Sequence, residues 1–362
     1  MILDLLTDMV RIPSLSGDEA ALGRFLAERM DTLGFDARVD SAGNAVGEWV
    51  DREDGLPDGE RRHLVLLGHM DTVPGGPAVE LREGRLYGRG TVDAKGPLAT
   101  FIAAVAGMDP IPGWRVTVIG AVEEEVASSK GARHVATRLR PDACIIGEPS
   151  GWDAVTLGYK GRLLVDAEIS RPTDHSAGPE PSAAERLVDF WGRVCELCDA
   201  QNAGRPDCMF HRLQRRLDRI DSGTSNDREW ARATVGFRLP PGIAPETLAD
   251  ELRRLAASLP VPPDLEVRGA EVAWVSERGS PLVSSFSRAL RAEGLRPRLK
   301  HKTGTSDMNV VGPVWQCPIV AYGPGDSSLD HTPEEHVEVA DLDRAVQVLR
   351  RAILELTSRT DL

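Results

Sequence analysis

A chain of 362 residues is long for one ordinary core and short for three, so one large domain with a smaller companion is the expected organisation. A hydrophobic content of 41% and a charged content of 27% speak for a folded globular chain, and a formal net charge of -13 speaks against nucleic acid as a partner. An odd number of cysteines argues against a disulfide framework, and the lack of a basic start or of any apolar run near the ~20 residues that span a bilayer predicts a cytoplasmic protein without membrane contact.

The first ~35 residues predict a helix entered through a turn. Ser14-Leu-Ser-Gly-Asp-Glu19 offers capping side chains, Leu22, Phe25, Leu26 and Met30 recur at helical spacing, and Gly34 ends the run. Three short β-branched apolar runs follow, at 63–68, 115–120 and 142–147, and they read as buried strands. The apolar stretch 96–106 between the first two reads as a buried helix. This alternation predicts an α/β core with a mostly parallel sheet.

From about residue 160 to 271 the texture changes to half-exposed strands at 162–169, 233–238 and 265–267, with helices from Ala183 and over about 245–258. Helices at 282–293 and from Leu342, with a strand at 318–321, then restore α/β character. The expected architecture is therefore a discontinuous catalytic domain over 1–158 and 273–362, interrupted by an α+β lid domain over 159–272.

Ligands of open α/β sheets bind beyond the carboxyl ends of the strands. The first apolar run exits into His69-Met-Asp71, the second into Glu123-Glu-Glu125 and the third into Glu148-Pro149, so three strand ends deliver metal-type ligands to one edge. With Asp93 and His331, the candidates His69, Glu124 and Glu148 make a set of imidazoles and carboxylates suited to zinc or a similar first-row ion. Asp71 could hydrogen-bond the far ring nitrogen of His69, or be a turn aspartate before Thr72 and Pro74. Glu123 could serve as general base beside a metal-binding Glu124, or belong to a solvated acidic cluster at a helix start.

The segments Gly68-His-Met-Asp-Thr-Val-Pro74, Gly88-Arg-Gly-Thr-Val-Asp-Ala-Lys-Gly96, Glu123-Glu-Glu125, Gly147-Glu-Pro149 and Asp330-His-Thr-Pro333 together resemble the acetylornithine deacetylase, succinyl-diaminopimelate desuccinylase and carboxypeptidase G family, in order along nearly the whole chain. The resemblance implies a two-metal peptidase-like amide hydrolase. One divalent ion, zinc or cobalt, would take His69, Asp93 and Glu148, and the other Asp93, Glu124 and His331. Asp93 would bridge them, and Glu123 would be the proton shuttle. It further implies a homodimer through the lid, with His175 reaching a neighbouring subunit's site, Arg238 binding a substrate carboxylate and Asn226 near the substrate.

Lys302-Thr-Gly-Thr-Ser-Asp-Met-Asn309 is similar to the branch that releases lysine or ornithine from an acidic amino-group carrier protein, in lysine and arginine biosynthesis. Gly304, Thr305 and Ser306 could cradle a substrate carboxylate, or form a simple turn. The basic run Arg296-Pro-Arg-Leu-Lys-His-Lys302 could dock the carrier, or be a solvated face. The alternative substrates are small: N-acetylornithine, N-succinyl-diaminopimelate or a dipeptide. A non-catalytic relative is disfavoured because Glu123 and the ligands are intact. Cys195, Cys198, Cys208 and His211 have zinc-like spacing, but the first two lie in a helical run where packing explains them.

Overall fold

The computed structural model describes residues 1–175 and 177–359, the side chain of Asp58 apart. They divide into two compact units. The first comprises Met1–Gly158, Val275–His301 and the chain from Ser306 onward; the second comprises Tyr159–Trp274 with Lys302–Thr305.

The first unit opens on helices α1 (Ile2–Arg11) and α2 (Ala20–Thr32), two helices where the sequence suggested one. Leu5, Leu6 and Met9 of α1, and Leu22, Leu26 and Met30 of α2, bury one stripe of each. The expected serine caps are absent, because Ser14 Oγ donates to the carbonyl of Met70 and Ser16 Oγ to the carboxylate of Asp71. Strands β1 (Asp36–Val39), β2 (Ala45–Val50), β3 (Arg62–His69), β4 (Glu80–Arg82) and β5 (Arg85–Tyr87) lead to helix α3 (Lys95–Ala106). Then come β6 (Trp114–Ala121), α4 (Lys130–Ala136), β7 (Ala143–Gly147) and β8 (Ala154–Tyr159). The second unit contributes β9 (Gly161–Pro172), α5 (Ala183–Asn202), β10 (Gln214–Ser225), β11 (Arg228–Leu239), α6 (Pro245–Ala257) and β12 (Asp264–Glu271). The chain returns through β13 (Trp274–Val275), α7 (Pro281–Ala292), β14 (Arg298–Lys302), α8 (Asp307–Trp315), β15 (Ile319–Tyr322), β16 (His336–Glu338) and α9 (Val339–Thr357).

The large sheet runs β1-β2-β6-β3-β7-β15-β8-β13, with β14 against β8. Its centre, β6, β3, β7 and β15, is parallel. The pairs β1 with β2, β2 with β6 and β15 with β8 are antiparallel, so the expected α/β sheet has its parallel centre flanked by antiparallel strands. The central strands are covered on both faces and therefore read as continuous apolar runs, whereas the exposed edge strand β1, Asp-Ala-Arg-Val, carries no such pattern. Residues Lys95 to Val105 of α3 are all buried, because the helix is wedged between the sheet and helices α1 and α9. A side chain at Gly96 would strike the carbonyl oxygen of Thr91, which explains a glycine at the start of so buried a helix.

The second unit is a separate antiparallel sheet in the order β10-β11-β9-β12, with α5 and α6 packed on one face. Leu163, Val165, Val235 and Phe237 of the sheet meet Leu187, Phe190 and Leu248 of the helices in its core. Strand β10 was not legible in the sequence: it lies at the sheet edge, and Gln-Arg-Arg-Leu-Asp-Arg-Ile-Asp leaves both faces partly wet. Among the described residues, no helix is long and apolar enough to cross a membrane.

Candidate metal centre

The parallel centre of the large sheet ends at one edge, and the candidate ligands emerge there. His69 is the last residue of β3 and 2% exposed. Its Nδ1 donates to the backbone oxygen of Asp71 at 3.0 Å, with the Asp71 carboxylate 3.4 Å away, so the carbonyl as well as the expected carboxylate sets the ring. That bond leaves Nε2 facing Asp93 Oδ1 at 3.1 Å and Glu148 Oε1 at 3.9 Å. The other Asp93 oxygen, Oδ2, lies 3.2 Å from Nε2 of His331, and that nitrogen lies 2.9 Å from Glu125 Oε1. Two groups of potential ligands result, His69 with Asp93 and Glu148, and Asp93 with Glu125 and His331, each with its ligand atoms within 4.8 Å of one another.

The acidic triplet is thus displaced by one residue from the sequence reading: Glu125, not Glu124, joins Asp93 and His331. The cause is local. Glu123 adopts a left-handed backbone with φ 58° at the exit of β6, and its N–H donates to Glu19 Oε1 at 3.0 Å. The Glu123 carboxylate then turns to Ser128 Oγ at 2.6 Å and Lys130 Nζ at 3.4 Å, away from the ligand groups. Glu124 takes the inward position, its side chain 12% exposed, with Oε2 4.0 Å from His69 Nε2.

Asp71 organises this turn. Fully buried, it accepts the backbone N–H of Glu124 on one oxygen and that of Glu125 on the other, each at 3.0 Å, and Ser16 Oγ at 2.7 Å. Burial alone would raise its carboxyl, but the bonds from His69, Ser16 and Glu125 hold it below the usual carboxylate range. Among the described residues no such donor reaches Glu124, and burial, reinforced by Glu148 and Asp307 against the pull of His69, pushes it well above that range. Asp93 is the reverse case: burial is outweighed by His331 and His69, which hold it far below. His331 is pushed up to about 10 by Asp93 and Glu125.

One residue essential to this geometry was not singled out from the sequence. Glu335 is fully buried, and its Oε1 accepts the backbone N–H groups of Gly90, Val92 and Asp93 at 2.9, 3.0 and 3.2 Å. Its Oε2 receives Arg89 Nη1 at 2.5 Å. The available signal was a carboxylate four residues beyond His331.

The remaining candidates are dispersed. Ser306 begins α8 in the first unit, where its hydroxyl accepts from Met308 N–H and its own N–H donates to Asn309 Oδ1. Its identity is accounted for by helix capping rather than by a substrate cradle. Thr305, next to Gly304 in the second unit, accepts Arg238 Nη1 at 2.7 Å and donates to the carbonyl of Lys160 at 3.2 Å. Asn226 and Asp227, φ 50° and 57°, form the two-residue hairpin between β10 and β11, a conformation that by itself favours asparagine. His175 is exposed and its Nδ1 accepts Ala177 N–H at 3.1 Å; its neighbour Ser176 lies outside the described residues. In the basic run Arg298 pairs with Asp153 at 3.1 Å and Lys300 Nζ donates to the carbonyl of Ser150 at 2.7 Å, so neither is a bare solvated charge. Cys198 packs into the core of the second unit, Cys195 is half-buried and Cys208 exposed; with His211 they form no ligand group among the described residues.

Two imidazole nitrogens and three carboxylates make up these two groups, a donor set that fits a pair of borderline first-row divalent ions. Residues 65–355 match the model of peptidase family M20/M25/M40. The chain is 46% identical over 360 residues to LysW-lysine hydrolase of Deinococcus radiodurans, covering 98% of this chain and 96% of the relative. It is 38% identical over 354 residues to a putative LysW-lysine/LysW-ornithine hydrolase of Thermococcus kodakarensis, covering 98% and 91%. Among solved structures it is similar to the M20 family metallo-carboxypeptidase Sso-CP2 of Sulfolobus solfataricus, with a TM-score of 0.79 at 18% identity over 98% and 99% of the two chains. The family implies a dinuclear metal site. The chain belongs to peptidase family M20/M25/M40 and is a metallohydrolase of that family.

Proposed function

We propose that this chain hydrolyses the amide between lysine, or ornithine, and the side chain of the C-terminal glutamate of an acidic amino-group carrier protein. The observation that carries this reading is the near full-length match to a LysW-lysine hydrolase, together with two ligand groups that share Asp93. The activity belongs to lysine biosynthesis and, with ornithine, to arginine biosynthesis, in the cytoplasm. The working enzyme is a homodimer through the second unit.

His69, Asp93 and Glu148 would hold one ion, and Asp93, Glu125 and His331 the other, with zinc or cobalt as the metal. Bound there, the pair supplies an acidified water and polarises the substrate carbonyl. Glu124, half-buried 4.0 Å from His69 Nε2 and a member of neither group, accepts the proton of the attacking water and delivers it to the departing α-amine. Asp71 fixes the ring of His69 and the backbone of Glu124 and Glu125. Glu335 holds the loop that presents Asp93. Arg238, oriented by Thr305, binds a substrate carboxylate, a task suited to a planar fork. His175 assists the oxyanion in a neighbouring subunit, and Asn226 and Gly304 border the substrate.

The test is to supply purified enzyme, loaded with zinc or with cobalt, with the carrier-lysine and carrier-ornithine conjugates, N-acetylornithine and N-succinyl-diaminopimelate, and to quantify released amines. Turnover of a carrier conjugate at least about tenfold more efficient than of either small substrate supports the proposal. Preference for a small substrate overturns it.

A further inference from the structure

Four successive backbone N–H groups of the acidic turn are each received by a side-chain oxygen from a distant part of the chain. Glu19 takes that of Glu123, and Asp71 those of Glu124 and Glu125. The first of the four, Val122 N–H, donates to Oδ1 of Asn44 at 3.1 Å. Asn44 is fully buried, in the loop between β1 and β2. Backbone pairing of β2 with β6 ends at Ala45 and Gly120, so beyond that pair the Asn44 side chain takes over as partner where the chain leaves β6.

The amide of Asn44 is held in one orientation. Its Nδ2 donates to Asp40 Oδ2 at 2.9 Å and to the carbonyl of Gly131 at 3.3 Å, which leaves Oδ1 as the acceptor. A carboxylate at this position would instead face an acid and a carbonyl. Asp40 is itself fixed: its Oδ1 receives the N–H groups of Ala42, Gly43 and Asn44 at 2.8, 3.0 and 3.0 Å, and its Oδ2 lies 3.5 Å from His134 Nε2. Gly131 closes the ring, because its N–H donates to the carbonyl of Val122 at 3.0 Å, so both backbone groups of Val122 are engaged. A side chain at Gly131 would strike Asn44 Oδ1 and the Val122 nitrogen, which explains the glycine there.

We infer that Asn44 is a positioning residue of the metal centre: by fixing Val122 it sets the direction in which the acidic turn leaves β6, and so brings the Glu125 carboxylate to Asp93 and His331. The inference rests on the assignment of Glu125 as a ligand under the proposed function. The two ligand groups differ in their dependence on this turn. Glu125 is carried by it, whereas His69 ends β3 and Glu148 follows β7. Loss of the Asn44 amide leaves the N–H of a buried Val122 without its acceptor, immediately before the left-handed Glu123. The weakening therefore falls on the group of Asp93, Glu125 and His331 and spares that of His69, Asp93 and Glu148.

Zinc is titrated, in competition with a chromogenic chelator, into metal-stripped full-length wild type, Asn44→Ala, Asp40→Asn and, as reference, Glu125→Ala. Asp40→Asn keeps an oxygen for the three backbone N–H groups but turns a donor toward Asn44 Nδ2, so it loosens the amide without opening a cavity and serves where Asn44→Ala does not fold. Asn44→Ala is expected to bind one ion within about threefold of wild type and the other about 10–100-fold more weakly, with the same selective loss, smaller, in Asp40→Asn. Hydrogen exchange of the metal-stripped variants is expected to show lost protection at residues 122–125 while β3 and β7 keep theirs. Two ions at wild-type affinity in Asn44→Ala, or in Asp40→Asn where Asn44→Ala is unfolded, overturn the inference. Equal weakening of both ions also overturns it, since that marks a general loss of stability. If Glu125→Ala retains both ions at wild-type affinity, the ligand assignment fails and takes the inference with it; an ion lost from Glu125→Ala but not from Asn44→Ala sinks the inference alone. No substrate enters the readout, so the outcome is independent of which amide the enzyme cleaves.

Discussion

Glu335 Oε1 accepts the backbone N–H of Asp93 at 3.2 Å, so a carboxylate four residues past one candidate ligand holds the loop that carries another. Its remaining bonds run to Gly90, Val92 and Arg89 of the same loop. Glu335→Ala would strand a half-buried guanidinium and three N–H groups, a loss of about 3 kcal/mol, the low end for broken buried pairs. Denaturant unfolding should register that loss. Glu335→Gln should destabilise less but still lower the number of ions retained after dialysis. Unchanged stoichiometry and stability in both variants would refute the role.

The acidic triplet offers a sharper contrast. Glu124→Ala is expected to reduce kcat by about 10²–10⁴-fold, the range of general acid–base catalysis, while the protein still binds two ions. Glu125→Ala should lose one ion, whereas Glu123→Ala, whose carboxylate contacts Ser128 and Lys130, should stay within about threefold of wild type. Metal analysis and steady-state kinetics on the three variants distinguish this order from the reverse, in which Glu123 would be essential.

Asp71→Asn keeps the volume but replaces one acceptor oxygen with a donor, so it cannot receive the N–H groups of both Glu124 and Glu125. Metal affinity is expected to fall about 10–100-fold, as for other supporting partners of ligating histidines. Competition with a chromogenic chelator measures this directly; an affinity equal to wild type would show that Asp71 does not act on the site.

The pH dependence follows from His331, raised from 6.5 to about 10 by Asp93 and Glu125. A cation favoured in the fold contributes its stability fully below about pH 6.5 and loses it as pH rises through about 10. Chelator-treated protein should therefore show a thermal midpoint that falls across that window. Loaded protein should behave oppositely in affinity, because a ligating imidazole must be deprotonated and metal binding strengthens as pH rises. Midpoints that stay level in the chelated protein, or that climb, would contradict the pairing.

Much of this molecule is legible along the chain because it depends on neighbours in sequence. Buried central strands announce themselves as β-branched runs, and each ends on a ligand-type residue: His69, the acidic triplet, Glu148. Asp93 stands out in its glycine-rich segment, and ordered motifs identify the family. Amphipathic helices α5 and α6 likewise show their periodicity, while β1 and β10, exposed at sheet edges, have no apolar alternation to read.

What the chain by itself determined is the set of residue types and the strand ends from which they leave. Which member of Glu123-Glu-Glu125 faces Asp93 was decided only by the tertiary structure. The decision depends on one left-handed φ at Glu123, held by Glu19 from 104 residues earlier and by Asp71 from 53. The hold of Asn44 on Val122 is of the same kind, since it joins segments 78 residues apart. Direction and pairing of side chains arise from long-range hydrogen bonds, and no local spacing rule contains them.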